Sequence, residues 1–119
     1  MDSKSILVSI IIPLFNESES ILTLVHEINL VMEEVSHDYE IILVDDGSLD
    51  NSWAVIESLA LLDSRIQGIR LRKNFGKGPA LSAGFEQIRG DIVLTLDADL
   101  QDNPSDIPVF LPSHRLWFS

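Results

Sequence analysis

Gly90-Asp91-Ile92-Val93-Leu94-Thr95-Leu96-Asp97-Ala98-Asp99-Leu100-Gln101-Asp102 is the stretch whose reading decides the fold. A glycine stop is followed by a short apolar run and then, abruptly, by carboxylates. That is the pattern of a buried strand delivering Asp97 to its C-terminal end. Asp97, Asp99 and Gln101 alternate, so in an extended segment they point the same way and offer hard oxygen ligands suited to Mg2+ or Mn2+. From these residues alone, capping of a loop or of a following helix by Asp97 and Asp99 is an equally good account. Position favours the metal, because two carboxylates at the carboxyl end of a buried strand repel each other unless a cation or specific donors compensate them.

The same strand-then-polar pattern recurs toward the N-terminus. Ile6-Leu7-Val8-Ser9-Ile10-Ile11-Ile12 is β-branched, almost continuously apolar and stopped by Pro13, which predicts a strand covered on both faces. Ile21, Leu24, Val25, Ile28, Met32 and Val35 then recur at steps of three and four, predicting an amphipathic helix over Ser18 to Ser36. Glu40-Ile41-Ile42-Leu43-Val44 predicts a second strand running into the turn residues Asp45-Asp46-Gly47-Ser48. Asp50 is placed to cap a second helix marked by Trp53, Ile56, Leu59 and Ala60, and a third strand is expected over Ile66 to Leu71. Asn74-Phe75-Gly76-Lys77-Gly78-Pro79 reads as a loop, with Pro79 in the first turn of a third helix whose stripe is Leu81, Phe85 and Ile88.

Strand and helix thus alternate four times over short connections, predicting an α/β fold with a parallel sheet flanked by helices. In such sheets ligands bind beyond the carboxyl ends of the strands. The polar clusters Asn16-Glu17, Asp45-Asp46 and Asp97-Ala98-Asp99 all fall there, so they are expected to converge on one edge.

The 119 residues suffice for one core, and Asp+Glu 19 against Lys+Arg 8 gives a net charge of -11. Such a surface argues against a nucleic-acid backbone or an anionic membrane surface as a direct electrostatic partner, and an anionic ligand would need a mediating cation. With Cys 0, disulfides and thiolate metal sites are excluded. The apolar run at Ile6 lacks the flanks of a signal peptide and is far short of the ~20 residues that span a bilayer, which gives a cytoplasmic expectation.

Common nucleotide fingerprints are absent: Gly76-Lys77-Gly78 lacks P-loop spacing, and Leu81 stands where a third dinucleotide-binding glycine belongs. Each remaining polar residue has an ordinary account beside a functional one. Asp45 and Asp46 set a turn or accept from a ligand; Glu17 favours a helix dipole or touches a ligand; Lys77 is a solvated lysine or approaches a phosphate. Trp53 and Phe85 read as core.

Four segments taken together carry a resemblance. Val8-Ser9-Ile10-Ile11-Ile12-Pro13-Leu14-Phe15-Asn16-Glu17, Ile41-Ile42-Leu43-Val44-Asp45-Asp46-Gly47-Ser48, Asn74-Phe75-Gly76-Lys77-Gly78 and Gly90 to Asp102 occur in the order and spacing of family 2 glycosyltransferases. They are most similar to the subgroup that transfers sugars to polyprenyl phosphates, the dolichyl-phosphate mannose synthases and bactoprenol glucosyltransferases. The resemblance implies a GT-A fold, a Rossmann-like parallel sheet with flanking helices, cut off after the Asp-x-Asp motif. It further implies a nucleoside pocket lined by Pro13, Phe15 and Glu17, with Val44 and Asp45 or Asp46 against base and ribose. Lys77 would approach the diphosphate, and Asp97, Ala98, Asp99 and Gln101 would hold it through Mg2+ or Mn2+, with Asp97, Asp99 and Gln101 as ligands. The implied donor is a UDP- or GDP-sugar and the implied acceptor an undecaprenyl or dolichyl phosphate, with the full-length protein at the cytoplasmic face of a membrane.

The resemblance runs from about Val8 to Pro108, within a donor-binding unit drawn over residues 1–108. From Val109 to Ser119 the chain has no acidic group and no clean period, and it reads as a truncated or frame-shifted tail. An aspartyl phosphatase of the haloacid dehalogenase type also opens its site with Asp-x-Asp, but it wants Thr or Val where Gln101 stands. A receiver domain wants its Asp pair after the first strand rather than the second.

Overall fold

The computed structural model describes residues 6–35, 37–99 and 103–111. Its core is a parallel sheet of four strands, β1 (Leu7–Leu14), β2 (Asp38–Asp45), β3 (Ile66–Arg70) and β4 (Ile92–Thr95), in the order β3-β2-β1-β4. The helices between them are α1 (Ser18–Glu34), α2 (Ser52–Leu62) and α3 (Lys77–Phe85), and a 3-10 helix, Pro104–Phe110, follows β4.

The β-branched runs form the two central strands, as their composition requires. Ile10, Ile11 and Ile12 lie opposite Ile41, Ile42 and Leu43, and all six are fully buried. Because side chains alternate across a strand, Ile10, Ile12, Ile41 and Leu43 face one side and Ile11, Ile42 and Val44 the other. The first face is covered by α1 through Ile21, Leu24, Val25, Ile28 and Met32, by α2 through Ile56, and by Ile107 of the 3-10 helix. The second face is covered by α3, whose buried residues are Ala80 and Gly84.

The third helix corrects one expectation. Phe85 is 46% exposed rather than core, because α3 lies so close to the sheet that only small residues fit beneath it. A Cβ on Gly84 would come within 2.6 Å of Ile11 Cγ2. Leu81 and Ile88 flank that contact half-buried, while Trp53 on α2 packs against the main core as expected.

Boundaries moved by a residue or two. Helix α1 ends at Glu34, short of Ser36, which lies outside the described residues; β2 begins at Asp38, where Asp38 and Tyr39 pair with Leu7 and Val8. The 3-10 helix runs across the boundary drawn after Pro108, and Leu111 beyond it is buried in the main core.

Strand order sets the location of any site. From β1 the chain steps outward to β2 and β3, then returns over the opposite face through α3 to place β4 on the other side of β1. The direction of travel therefore reverses between β1 and β4, and a crevice opens at the carboxyl ends of strands where it does so.

Candidate functional site

A cleft of about 240 Å3 lies at those ends, lined by Pro13, Leu14, Phe15, Asp46, Asn74, Gly76, Lys77 and Asp97. Asp46 and Asp97, from two of the polar clusters, thus meet at one sheet edge beside Pro13, Leu14 and Phe15, which lead into the third.

The rim is built by loops that hold one another. Asn16 adopts a left-handed φ of 54°, which Asn tolerates better than most residues, and this turns its side chain toward the loop after β2. Asn16 Oδ1 accepts the Leu49 N–H at 2.8 Å, while the Asn16 N–H donates to Ser48 Oγ at 2.7 Å. Next in the chain, the Glu17 N–H donates to Ser52 Oγ at 3.0 Å. Asp50 accepts both the N–H and the hydroxyl of Ser52, at 2.9 and 2.6 Å, and these bonds hold its carboxyl below the ordinary range despite opposing desolvation. Asp50 thus braces the start of α2, although the position that caps the helix is Asn51. Glu17 occupies the capping position of α1: its carbonyl accepts from Ser20 and Ile21, and its carboxylate accepts the Ser20 hydroxyl at 3.2 Å.

Asp45 and Asp46 are adjacent, both buried, and differently engaged. Both oxygens of Asp46 are used by the loop before α3, accepting the N–H groups of Phe75 at 2.8 Å and Gly76 at 3.0 Å. Asp45 accepts the Ser48 N–H through Oδ1 at 2.8 Å, but its Oδ2, fully buried, has no donor. Gly47 follows at φ +77°, with its Cα so near the Lys73 backbone that a Cβ would sit 2.3 Å from the Lys73 carbonyl carbon. The turn after β2 and the loop after β3 are therefore in direct backbone contact.

Lys77, the first residue of α3, reaches across the cleft to Asp97, with Nζ 2.7 Å from Oδ1. Ala98 is buried against the main core and Asp99 is exposed. Gln101, expected as a third ligand, lies outside the described residues. Val44 is fully buried in the layer beneath α3, so only its backbone is available to a ligand. Phe15 keeps an exposed ring at the mouth. Asn74 and Gly76 line the cleft although only their motif, and not their site role, was legible in the sequence.

A divalent cation suits the donor set. Asp97 and Asp99 are hard carboxylate donors at a strand end, and the Lys77 ammonium lies on Asp97. Among the described residues no three His, Asp or Glu side chains gather to hold a metal unaided.

The opposite half of the sheet carries a second polar cluster. Ser9 and Glu40, paired across β1 and β2, are buried, and the Ser9 hydroxyl donates to Glu40 Oε2 at 2.6 Å. The same oxygen accepts the Arg89 N–H at 2.8 Å, and Ser9 Oγ accepts the Gly90 N–H at 2.8 Å. Burial pushes the Glu40 carboxyl up, but the bonds from Ser9 and Arg89 and the guanidinium charge outweigh it and hold the group below its ordinary 4.5. This cluster fastens the segment between α3 and β4, and so holds in place the two elements that carry Lys77 and Asp97.

The family described as Glycosyl transferase family 2 matches residues 9–115. An undecaprenyl-phosphate 4-deoxy-4-formamido-L-arabinose transferase of Pseudomonas fluorescens (strain SBW25) is 49% identical over 112 residues, covering 93% of this chain and 33% of that protein. The transferase of the same description from Yersinia pestis (strain Pestoides F) is 47% identical over 102 residues, covering 85% of this chain and 31% of the relative. The chain thus spans about a third of the length of these relatives. Among solved structures, a mannosyltransferase from Pyrobaculum calidifontis in complex with GDP-Man and Mn2+ superimposes with a TM-score of 0.71 at 22% identity, over 87% of this chain and 30% of that one. Mannosyl-3-phosphoglycerate synthase from Rubrobacter xylanophilus gives 0.68 at 26% identity, over 82% and 32%.

Proposed function

The chain belongs to glycosyl transferase family 2 and has the GT-A fold, and from that premise we propose that it forms the donor-binding part of an enzyme transferring a sugar from a UDP- or GDP-sugar to a polyprenyl phosphate, undecaprenyl or dolichyl. The observation that carries the reading is the cleft itself, where Phe15, Asp46, Lys77 and Asp97 meet at the carboxyl ends of the strands.

Each residue then has a task. Asp45 keeps one oxygen without a protein donor, and a ring N–H of the base would satisfy it once the side chain turns from its buried position. Asp46 lines the cleft while its two oxygens hold the loop before α3, so it shapes the wall that base and ribose would meet. Pro13 and Phe15 give the nucleoside an apolar wall, Val44 contributes backbone only, and the Glu17 backbone fixes that wall by capping α1. Lys77 would donate to the diphosphate, and Asp97 and Asp99, with Gln101, would hold Mg2+ or Mn2+, beside Ala98. When bound, the cation neutralises charge on the leaving diphosphate.

In the displacement, an oxygen of the lipid phosphate forms a bond to the anomeric carbon as the bond from that carbon to the diphosphate oxygen breaks. Configuration inverts, and the electron pair leaves with the nucleoside diphosphate. A phosphate monoester carries about -1.5 to -2 charge at pH 7, so the nucleophile needs no general base from the protein. Among the described residues no helix is long and apolar enough to cross a membrane. A lipid acceptor with a nucleotide-sugar donor puts the reaction at the cytoplasmic face of a membrane.

Calorimetric titration of the chain with UDP- and GDP-sugars, with and without Mn2+, tests the donor reading. Binding of one nucleotide class that requires the cation is the expected result; no binding by either class, or binding indifferent to the cation, contradicts it.

A further inference from the structure

We propose that Lys77 is a resident cation at the metal subsite: it neutralises Asp97 while the cleft is empty and yields that carboxylate to the divalent ion when donor binds. The inference rests on the donor-site reading above and adds an exchange step to it.

The Lys77 ammonium lies 2.7 Å from Asp97 Oδ1, with side chains 62% and 32% exposed. Asp97 and Asp99 leave β4 together, and without a cation their charges repel across one intervening residue. Lysine is suited to a temporary role, because its charge sits on a flexible four-carbon stem that can swing at little cost from so exposed a position. A divalent ion held by Asp97 would face this ammonium at close range and be repelled by it. Metal binding before donor is therefore opposed, and the opposition weakens when a diphosphate offers Lys77 another anion. Lys77 is well anchored for such a transfer. It opens α3, and the loop before it is fixed to Asp46 through Phe75 and Gly76, so the stem starts from a constant point while only its tip changes partner.

The exchange predicts effects of opposite sign in one variant, which loss of structure would not produce. In nucleotide-free protein, Lys77→Met binds Mn2+ about two- to fivefold more tightly than wild type, the range expected for removing an exposed competing ion pair. At saturating Mn2+, the same variant binds UDP or GDP more weakly. Lys73→Met is the control, since it makes the same change in net charge while Lys73 lies over the Phe75 ring rather than on Asp97; both of its affinities stay near wild type. Lys77→Arg, which keeps the charge, shows no gain in Mn2+ affinity. Manganese binding is read by electron paramagnetic resonance and nucleotide binding by calorimetry. Mn2+ affinity unchanged or weaker in Lys77→Met, or a gain matched by Lys73→Met, overturns the exchange and leaves the donor site standing. No Mn2+ binding by any of the proteins, even with nucleotide present, overturns both.

Discussion

Asp46 accepts the backbone N–H of Gly76 at 3.0 Å, and that bond joins the turn after β2 to the residue preceding α3. Together with the bond from Phe75, it makes a buried carboxylate the fixed point of a loop that lines the cleft.

Asp46→Asn is therefore expected to loosen this loop, since an amide nitrogen must face one of two N–H donors. A loss of about 1–3 kcal/mol in stability follows from leaving a buried donor unsatisfied. Urea denaturation gives the size, and faster amide hydrogen exchange at Phe75 and Gly76, beyond the global change, gives the place.

The neighbouring carboxylate behaves oppositely. Asp45 Oδ2 has no protein donor, so Asp45→Asn removes no hydrogen bond at that oxygen and can keep the Ser48 contact through its carbonyl. Stability is expected to change by less than about 1 kcal/mol, while UDP or GDP affinity falls about tenfold or more, the cost of losing one charge-assisted hydrogen bond in a buried site. Thermal melting alongside calorimetry separates the two effects.

Glu40 gives the protein an acid-sensitive joint. Its folded pKa lies below the ordinary 4.5, so its contribution to stability is fully present above 4.5 and is lost as pH falls through the depressed folded value. Asp50, held by Ser52, and Asp63, which accepts from the Arg65 guanidinium, are shifted the same way and share the acid limb. Glu40→Gln should cost about 1–3 kcal/mol at neutral pH by disturbing the bonds from Ser9 and Arg89, and should flatten the fall in stability between neutral and acid pH. Denaturation midpoints across that range measure both.

The sheet was legible because its central strands are apolar on both faces, a pattern that needs no knowledge of the partner. The crevice followed, since strand ends and polar clusters coincide. Two features were hidden for physical reasons. The face of α3 is defined by small residues, Ala80 and Gly84, under a close helix–sheet contact, so a search for large apolar residues selected Phe85 instead. The distinct duties of Asp45 and Asp46 depend on where a loop some 30 residues later comes to rest, with Gly76 against Asp46. Adjacent identical residues carry no local signal of that. The Lys77–Asp97 pair is likewise a product of α3 and β4 being brought side by side.

The central claim is that one cleft holds donor diphosphate and cation together, and Mn2+ broadening of backbone amide resonances in the presence of UDP or GDP tests it most directly. The account predicts selective loss of the signals of Gly76, Lys77, Asp97 and Asp99 while those of Ser9, Glu40 and Arg89 persist, and it predicts that Asp97→Ala abolishes the effect. Broadening centred elsewhere, or undiminished in Asp97→Ala, would contradict it.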